Sequence, residues 1–277
     1  MPDDKHIPAL RMVDVSKIFA RKTLDEVKAL DGVSLDINEG DYICMIGSNG
    51  SGKSTCLNVI AGVFPPERGG KILIKDNDVT NLPEYQHAKY VGRVWQDPSV
   101  GTCARLTIEE NLSMAVLRGR TRGLHKAVSK SRRTSFKEAL EPLGMGLENR
   151  LTAPVGTLSG GQRQALSLIM ATITRPVVLL LDEHVAALDP KTAQIVMELT
   201  DMVVHRDNIT ALMVTHNMEI ALRYGSRLVM MHKGKCIFDV AGARKAGLTI
   251  PDLMKAFEKE AGEMLHDDST LLVSAAG

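Results

Sequence analysis

No apolar run in the 277 residues approaches the roughly 18 that a membrane-crossing helix needs; the longest lies near residues 177–181. Aromatic residues make up only 4% of the chain, with a single Trp. An aromatic and basic surface that stacks single-stranded nucleic acid is therefore not expected. Cys44, Cys56, Cys103 and Cys236 stand singly, without metal-ligand spacing, which excludes a zinc-finger framework and fits reduced thiols in a cytosolic protein. The net charge of +1 gives no global attraction to polyanions or membranes. The first residues carry Asp3 and Asp4 and no apolar stretch, so no secretory leader is expected. Internal repeats, low-complexity tracts and sustained heptads are also missing.

The 44% hydrophobic content, by contrast, is enough for a large core. Strands are predicted at residues 10–18, 31–38 (opening on the Asp31-Gly32 turn signal), 42–46, 71–74 and 91–96. A helix is predicted at 53–61. From 98 to 157 apolar residues recur at helical spacing (Ile108, Leu112, Ala115, Val116), interrupted by a basic segment. Beyond Leu158 helix and strand alternate again: helix 161–174, strand 177–181, and a helix after Asp189-Pro190, with Asp as N-cap and Pro at the first helical position. Strands at 211–214, 228–231 and 235–240 follow, the last two joined by a Lys233-Gly234 turn. This order argues for an α/β fold with a largely parallel sheet.

Gly47-Ser48-Asn49-Gly50-Ser51-Gly52-Lys53-Ser54 matches G-x-x-x-x-G-K-[ST] between a predicted strand and a predicted helix. Glycines let the backbone close around phosphates, and amides at the helix start donate to them. Lys53 supplies a cation to the β- and γ-phosphates, and the Ser54 hydroxyl is a ligand for Mg²⁺. The apolar strand at 177–181 ends in Asp182-Glu183, two acids at the sheet edge where ligands bind in open α/β folds. Asp182 would hold Mg²⁺, directly or through water, and Glu183 would orient or deprotonate the attacking water. An apolar strand capped by acids is ordinary by itself; beside a P-loop it gains force.

Leu158-Ser159-Gly160-Gly161-Gln162 forms an unbroken LSGGQ. With it the chain resembles the ABC ATPase family over nearly its whole length, in the order P-loop, Gln96, LSGGQ, Asp182-Glu183, Ala187-Leu188-Asp189, His216. The resemblance implies a P-loop NTPase core with a mostly parallel sheet, an N-terminal antiparallel β subdomain and an inserted α-helical subdomain. It assigns residues 1–240 to the ATPase domain, with the insert at about 98–157, and 241–277 to a C-terminal helical extension and tail. ATP and Mg²⁺ are the implied cofactors. Gln96 becomes a Mg²⁺ contact that senses a membrane partner, Asp189 part of the D-loop, and His216 a contact to the γ-phosphate. Thr55 joins the nucleotide-binding residues, as does Phe19, an adenine-stacking candidate for which core packing stays an alternative. Tyr42 suits that stacking less, since it enters the P-loop strand. Ser159 and the amides of Gly160 and Gly161 would serve the γ-phosphate held by a second ATPase subunit, so that two chains close head-to-tail over two ATP molecules.

Two positions depart from the family pattern. His184 stands where Pro is commonest, either contacting the D-loop or nucleotide or sitting passively in the loop. The helix after LSGGQ lacks an arginine often found along it. Residues 118–137 hold eight Arg/Lys and no Asp/Glu, a solvated face or a surface near anionic lipid. The function expected is that of an ATP-hydrolysing subunit at the cytoplasmic face of the membrane, powering integral permease subunits. The transporter would be an importer, of amino-acid type, with an extracytoplasmic substrate-binding protein and no nucleic-acid partner. A soluble ABC ATPase for iron–sulfur assembly is the alternative. DNA-repair types are excluded by a gap of roughly 105 residues between P-loop and signature without coiled-coil heptads. A degenerate cassette is disfavoured because Lys53, Asp182, Glu183 and His216 are all present.

Overall fold

The structure, a computed structural model, describes residues 7–120 and 128–261, of which 260 and 261 by backbone alone. Two compact units divide it: Met1–His87 with Thr210–Gly277, and Ala88–Ile209.

The first unit opens with an antiparallel pair, β1 (Leu10–Phe19) and β2 (Val27–Ile37), which sets Leu10 opposite Ile37 and Phe19 opposite Val27. The strand expected to open at the Asp31-Gly32 turn begins instead at Val27. Asp31 and Gly32 lie inside β2, where the register with β1 shifts and Gly32 takes φ +66°. A bulge accounts for the turn-like sequence: it needs the same left-handed backbone that a turn needs. Next come β3 (Tyr42–Gly47) and α1 (Lys53–Ile60). The segment β4 (Lys71–Ile74), β5 (Asn77–Asp78) and α2 (Glu84–His87) closes this half. The four antiparallel strands form a sheet in the order β2-β1-β4-β5.

The second unit carries a parallel pair, β6 (Val91–Val94) and β7 (Val178–Asp182). Between them in sequence lie α3 (Pro98–Gly101), α4 (Ile108–Val116), α5 (Lys130–Leu140) and α6 (Gly160–Thr172); α7 (Pro190–Arg206) follows β7. A capping box starts α4, with Thr107 and Glu110 exchanging bonds, while Ile108, Leu112 and Ala115 turn inward. Asp189 caps α7, with Pro190 at its first position, as the sequence predicted.

The chain then returns to the first unit as β8 (Ala211–Val214), α8 (Met218–Arg223), β9 (Arg227–His232), β10 (Lys235–Ala241), α9 (Gly242–Ala246) and α10 (Ile250–Ala261). There β3 runs between β8 and β9, parallel to both, and β10 pairs antiparallel with β9. Every residue of β3 and β8 is buried, which is why these strands read as continuous apolar runs rather than alternating ones. Lys245 of α9 donates to the carbonyls of Leu222, Tyr224 and Gly225, satisfying the end of α8 and tying down the C-terminal helices. The predicted α/β class, with parallel strands and a separate N-terminal antiparallel sheet, is the fold observed. The expected frayed tail beyond residue 261 lies outside the described residues, as do residues 121–127 of the basic segment.

Candidate functional site

The first unit brings Gly47, Ser48, Ser51 and Lys53 together. The turn from β3 into α1 is sharp, with Gly52 at φ +103° as the N-terminal cap. A Cβ there would lie 2.3 Å from the Ala29 carbonyl oxygen, so only glycine fits. Lys53 is buried, and its Nζ donates to the carbonyls of Gly47 at 2.6 Å and Ser48 at 3.0 Å. The ammonium thus sits inside the loop, next to the amides that start α1. Asn49, Gly50 and Ser54 are exposed and Thr55 is half-buried.

Phe19, half-buried at the end of β1, meets Phe64 edge-to-face with ring centroids 5.3 Å apart. Lys17 Nζ lies 5.7 Å from both rings and donates to the Pro65 carbonyl. Phe64 was not read from the sequence; it follows α1 by four residues, and only the tertiary contact joins it to Phe19. Tyr42 is a core residue, buried with its hydroxyl toward Met213 Sδ. His216, half-buried, follows β8 between Thr215 and Asn217. Thr215 N donates to the Met45 carbonyl, and Asn217 caps α8 through Ile220 N. Both neighbours of the imidazole are therefore fixed.

In the second unit Asp182 ends β7 and pairs with Arg93 of β6: Nη2 donates to Oδ2 at 2.8 Å. Glu183 adopts φ +44°, a left-handed backbone rare for a residue with a Cβ. That conformation turns the chain at once out of the strand, and the Glu183 carbonyl accepts from Ala186 N at 2.9 Å. Strain of this kind, on the order of 1–3 kcal/mol, clusters at functional positions. His184 is buried, its Nε2 3.0 Å from Thr200 Oγ1 of α7, and burial pushes its pKa down to about 4. Of the two readings of His184, the structure supplies the packed loop position.

The LSGGQ motif is a capping box. Ser159 Oγ accepts from Gln162 N, and Gln162 Oε1 accepts from Ser159 N, each at 3.2 Å. Ser159 and Gly160 are exposed at the start of α6, where free amides favour an anion. Gly161 is buried against α7: an added Cβ would fall 2.3 Å from Thr192 Cγ2. The exposed Asp189 carboxylate accepts from Thr192, which holds its pKa below the usual range. Gln96 is exposed just beyond β6. Its neighbour Trp95 accepts at its carbonyl from Gln164 Nε2 of α6 at 3.0 Å, and Arg163 Nε donates to Thr102 Oγ1 at 2.7 Å. Helix α6 therefore grips the segment that follows Gln96.

The basic segment is partly structural. Arg118 donates to the Ala171 carbonyl and Thr174 Oγ1 near the end of α6, and Arg133 pairs with Glu109. Ser54, Gln96 and Asp182 offer a hydroxyl, an amide and a carboxylate, hard oxygen donors that suit Mg²⁺. Among the described residues no group of three or more His, Cys, Asp or Glu could hold a metal by itself. No helix of the described residues is long and apolar enough to cross a membrane.

The chain is similar to known proteins in sequence and fold. A family model described as ABC transporter matches residues 30–186. The tyrosine transport ATP-binding protein of Clostridioides difficile is 45% identical over 249 residues, covering 90% of this chain and 98% of its own. The energy-coupling factor transporter ATP-binding protein of Clostridium tetani is 32% identical, covering 83% of this chain and 78% of its own. Among solved structures, a dimeric post-hydrolysis state of an ATP-binding cassette bound to ADP and Pi superposes with TM-score 0.71 at 27% identity, covering 84% of this chain and 98% of that one. The ADP conformation of another transporter cassette gives TM-score 0.72 at 28% identity, covering 92% and 99%.

Proposed function

The chain belongs to the ABC transporter family as an ATP-binding, ATP-hydrolysing subunit, and from that premise we propose that it powers import of an amino acid of the aromatic class. The observation that carries the substrate class is the 45% identity, over nearly the full length of both chains, to a tyrosine transport ATP-binding protein. The expectation of a soluble iron–sulfur assembly ATPase finds no support among these relatives, which are transporter subunits.

In this reading Lys53 and the amides of residues 47–55 bind the β- and γ-phosphates, and Phe19 stacks on adenine. Ser54, Gln96 and Asp182 would hold Mg²⁺, which supplies Lewis-acid neutralisation of phosphate charge. Glu183 accepts the proton of the attacking water, and His216 donates to the γ-phosphate. Ser159, Gly160, Gly161 and Gln162, with Asp189, serve the nucleotide of a second copy. The proposed organisation is an ATPase domain over 1–240 with a helical insert at about 98–157, and a C-terminal extension over 241–277. Integral permease subunits hold it at the cytoplasmic face, and an extracytoplasmic binding protein supplies the substrate.

Co-purification of the native complex followed by partner identification tests this, together with uptake of labelled tyrosine by cells carrying Glu183→Gln. Permease chains and lost uptake are expected. Recovery of soluble partners alone would overturn the transporter assignment, and unchanged tyrosine uptake would overturn the substrate class.

A further inference from the structure

A cation of the protein's own already holds the acid at the end of β7. In the parallel pairing of β6 with β7, Arg93 lies opposite Leu180, and Asp182 is two residues further along, on the same side of the sheet. The two side chains meet there, 9% and 14% exposed. The guanidinium carbon also lies over the Trp95 ring, 3.5 Å from its centroid. Trp95 is in turn held at its carbonyl by Gln164 and is followed directly by Gln96. Planar guanidinium is the one side chain that can donate to a carboxylate and stack on an indole together; Lys would keep the charge and lose the plane.

We propose that Arg93 is a positioning residue for Asp182, occupying one carboxylate oxygen and releasing it when a divalent cation is to take that place. This rests on the reading of Asp182 as a metal-holding acid. A guanidinium and a divalent cation cannot share one carboxylate oxygen without strong like-charge repulsion in a half-buried setting. Release therefore shifts the guanidinium away from the Trp95 ring, and the presence of the metal is transmitted to the residue beside Gln96. An ion pair of purely structural value would stabilise the fold without competing with the metal.

The chain's single Trp is Trp95, so its emission reads the stack directly. The experiment titrates MgCl₂ into the full chain at a fixed, sub-saturating ATP concentration, following Trp emission and nucleotide binding, for the wild type, Arg93→Lys, Arg93→Leu and Asp182→Asn. The wild-type emission should change with the same Mg²⁺ midpoint as nucleotide binding. Both Arg93 variants should lose the Mg²⁺-linked emission change, and Arg93→Leu should lower the Mg²⁺ midpoint about tenfold, the scale of one charge-assisted hydrogen bond. Should Arg93→Leu fail to fold, Arg93→Gln, which likewise removes the charge, carries the same comparison. An unchanged midpoint in Arg93→Leu, or wild-type emission indifferent to Mg²⁺ while ATP binds, would overturn the positioning role alone. An unchanged midpoint in Asp182→Asn would overturn the metal role of Asp182 and the inference with it.

Discussion

His184 Nε2 lies 3.0 Å from Thr200 Oγ1, and Thr200 Oγ1 in turn donates to the Val196 carbonyl at 2.8 Å. The hydroxyl proton is thus spent on the carbonyl, so Thr200 accepts from His184, which fixes the neutral tautomer with its proton on Nε2. The loop after the two acids is stapled to α7 by a residue that must stay uncharged. Burial lowers the folded pKa to about 4 from an ordinary 6.5. Between those values the unfolded chain binds a proton that the folded chain refuses, so stability is full above pH 6.5 and falls as pH drops toward 4. The loss should approach about 3 kcal/mol. Thermal unfolding at pH 7, 5.5 and 4.5 should show a steeper decline for the wild type than for His184→Gln; equal slopes would exclude His184 as the source.

Glu183→Gln should retain ATP binding and lose hydrolysis by about 10²-fold or more, the scale of a removed general base. Lys53→Ala should weaken binding itself, measurable by calorimetry. The φ of +44° at Glu183 adds a third variant. Glu183→Gly relieves the backbone strain, so it should unfold at a higher temperature than Glu183→Gln, by about 1 kcal/mol of stability, while remaining inactive. Near-normal turnover in either Glu183 variant would remove this residue from the mechanism.

Gly161 and Thr192 give a test of packing apart from chemistry. A Cβ at 161 would meet Thr192 Cγ2 at 2.3 Å. Gly161→Ala should therefore destabilise the protein by about 1–3 kcal/mol, and Thr192→Ser, which removes the obstructing methyl, should recover most of it. A double-mutant cycle by urea unfolding reads the coupling; additive effects would mean that α6 and α7 do not touch where they are placed.

Sequence reasoning reached those elements whose residues answer to local rules. Strands 71–74 and 211–214 agree to the residue with β4 and β8, and Asp189-Pro190 opens α7. Of the motif residues, Lys53 opens α1, Ser159 caps α6 and Asp182 ends β7, the strand and helix ends that local patterning predicts. Asp31-Gly32 misled because bulge and turn use the same left-handed backbone, and what separates them is the partner strand. Arg93 and Phe64 escaped for a related reason. Nothing in their own neighbourhood marks them, and each acquires meaning only when β6 is laid against β7 or when α1 delivers Phe64 to Phe19. The basic segment reads as a solvated face, and its residues Arg120, Lys130, Arg133 and Lys137 are exposed; the bonds from Arg118 to Ala171 and Thr174 depend on a tertiary contact that local sequence does not announce.

Ser159→Arg should block closure of two chains while leaving each chain's own Lys53 loop able to bind nucleotide. Ser159→Ala is the milder companion: it removes the cap that Gln162 N uses, costing about 1 kcal/mol of stability. Dimer formation should be measured with Glu183→Gln and ATP, where closure persists. Retention of full hydrolysis by monomeric Ser159→Arg would exclude a shared site.

In the proposed transporter, coupling to the membrane chains would run through the second unit. Val100 of α3 is 63% exposed, and α3 is rigidly held: Asp97 accepts from Ser99 N, and Thr102 Oγ1 donates to the Pro98 carbonyl. Arg163 Nε then joins Thr102 to α6, one turn beyond Ser159. A push on α3 would therefore reach the LSGGQ helix through this charged hydrogen bond, beside the packing of Gly101 against Ser167 of α6. A partner can use this path only if it contacts α3 differently before and after closure. Val100→Asp should accordingly uncouple transport while leaving hydrolysis by the isolated subunit within about twofold, since replacing an exposed side chain costs little stability. Arg163→Ala should weaken the coupling from the other end, lowering transport per ATP hydrolysed when measured in proteoliposomes. Full transport efficiency in both variants would show that the signal enters elsewhere.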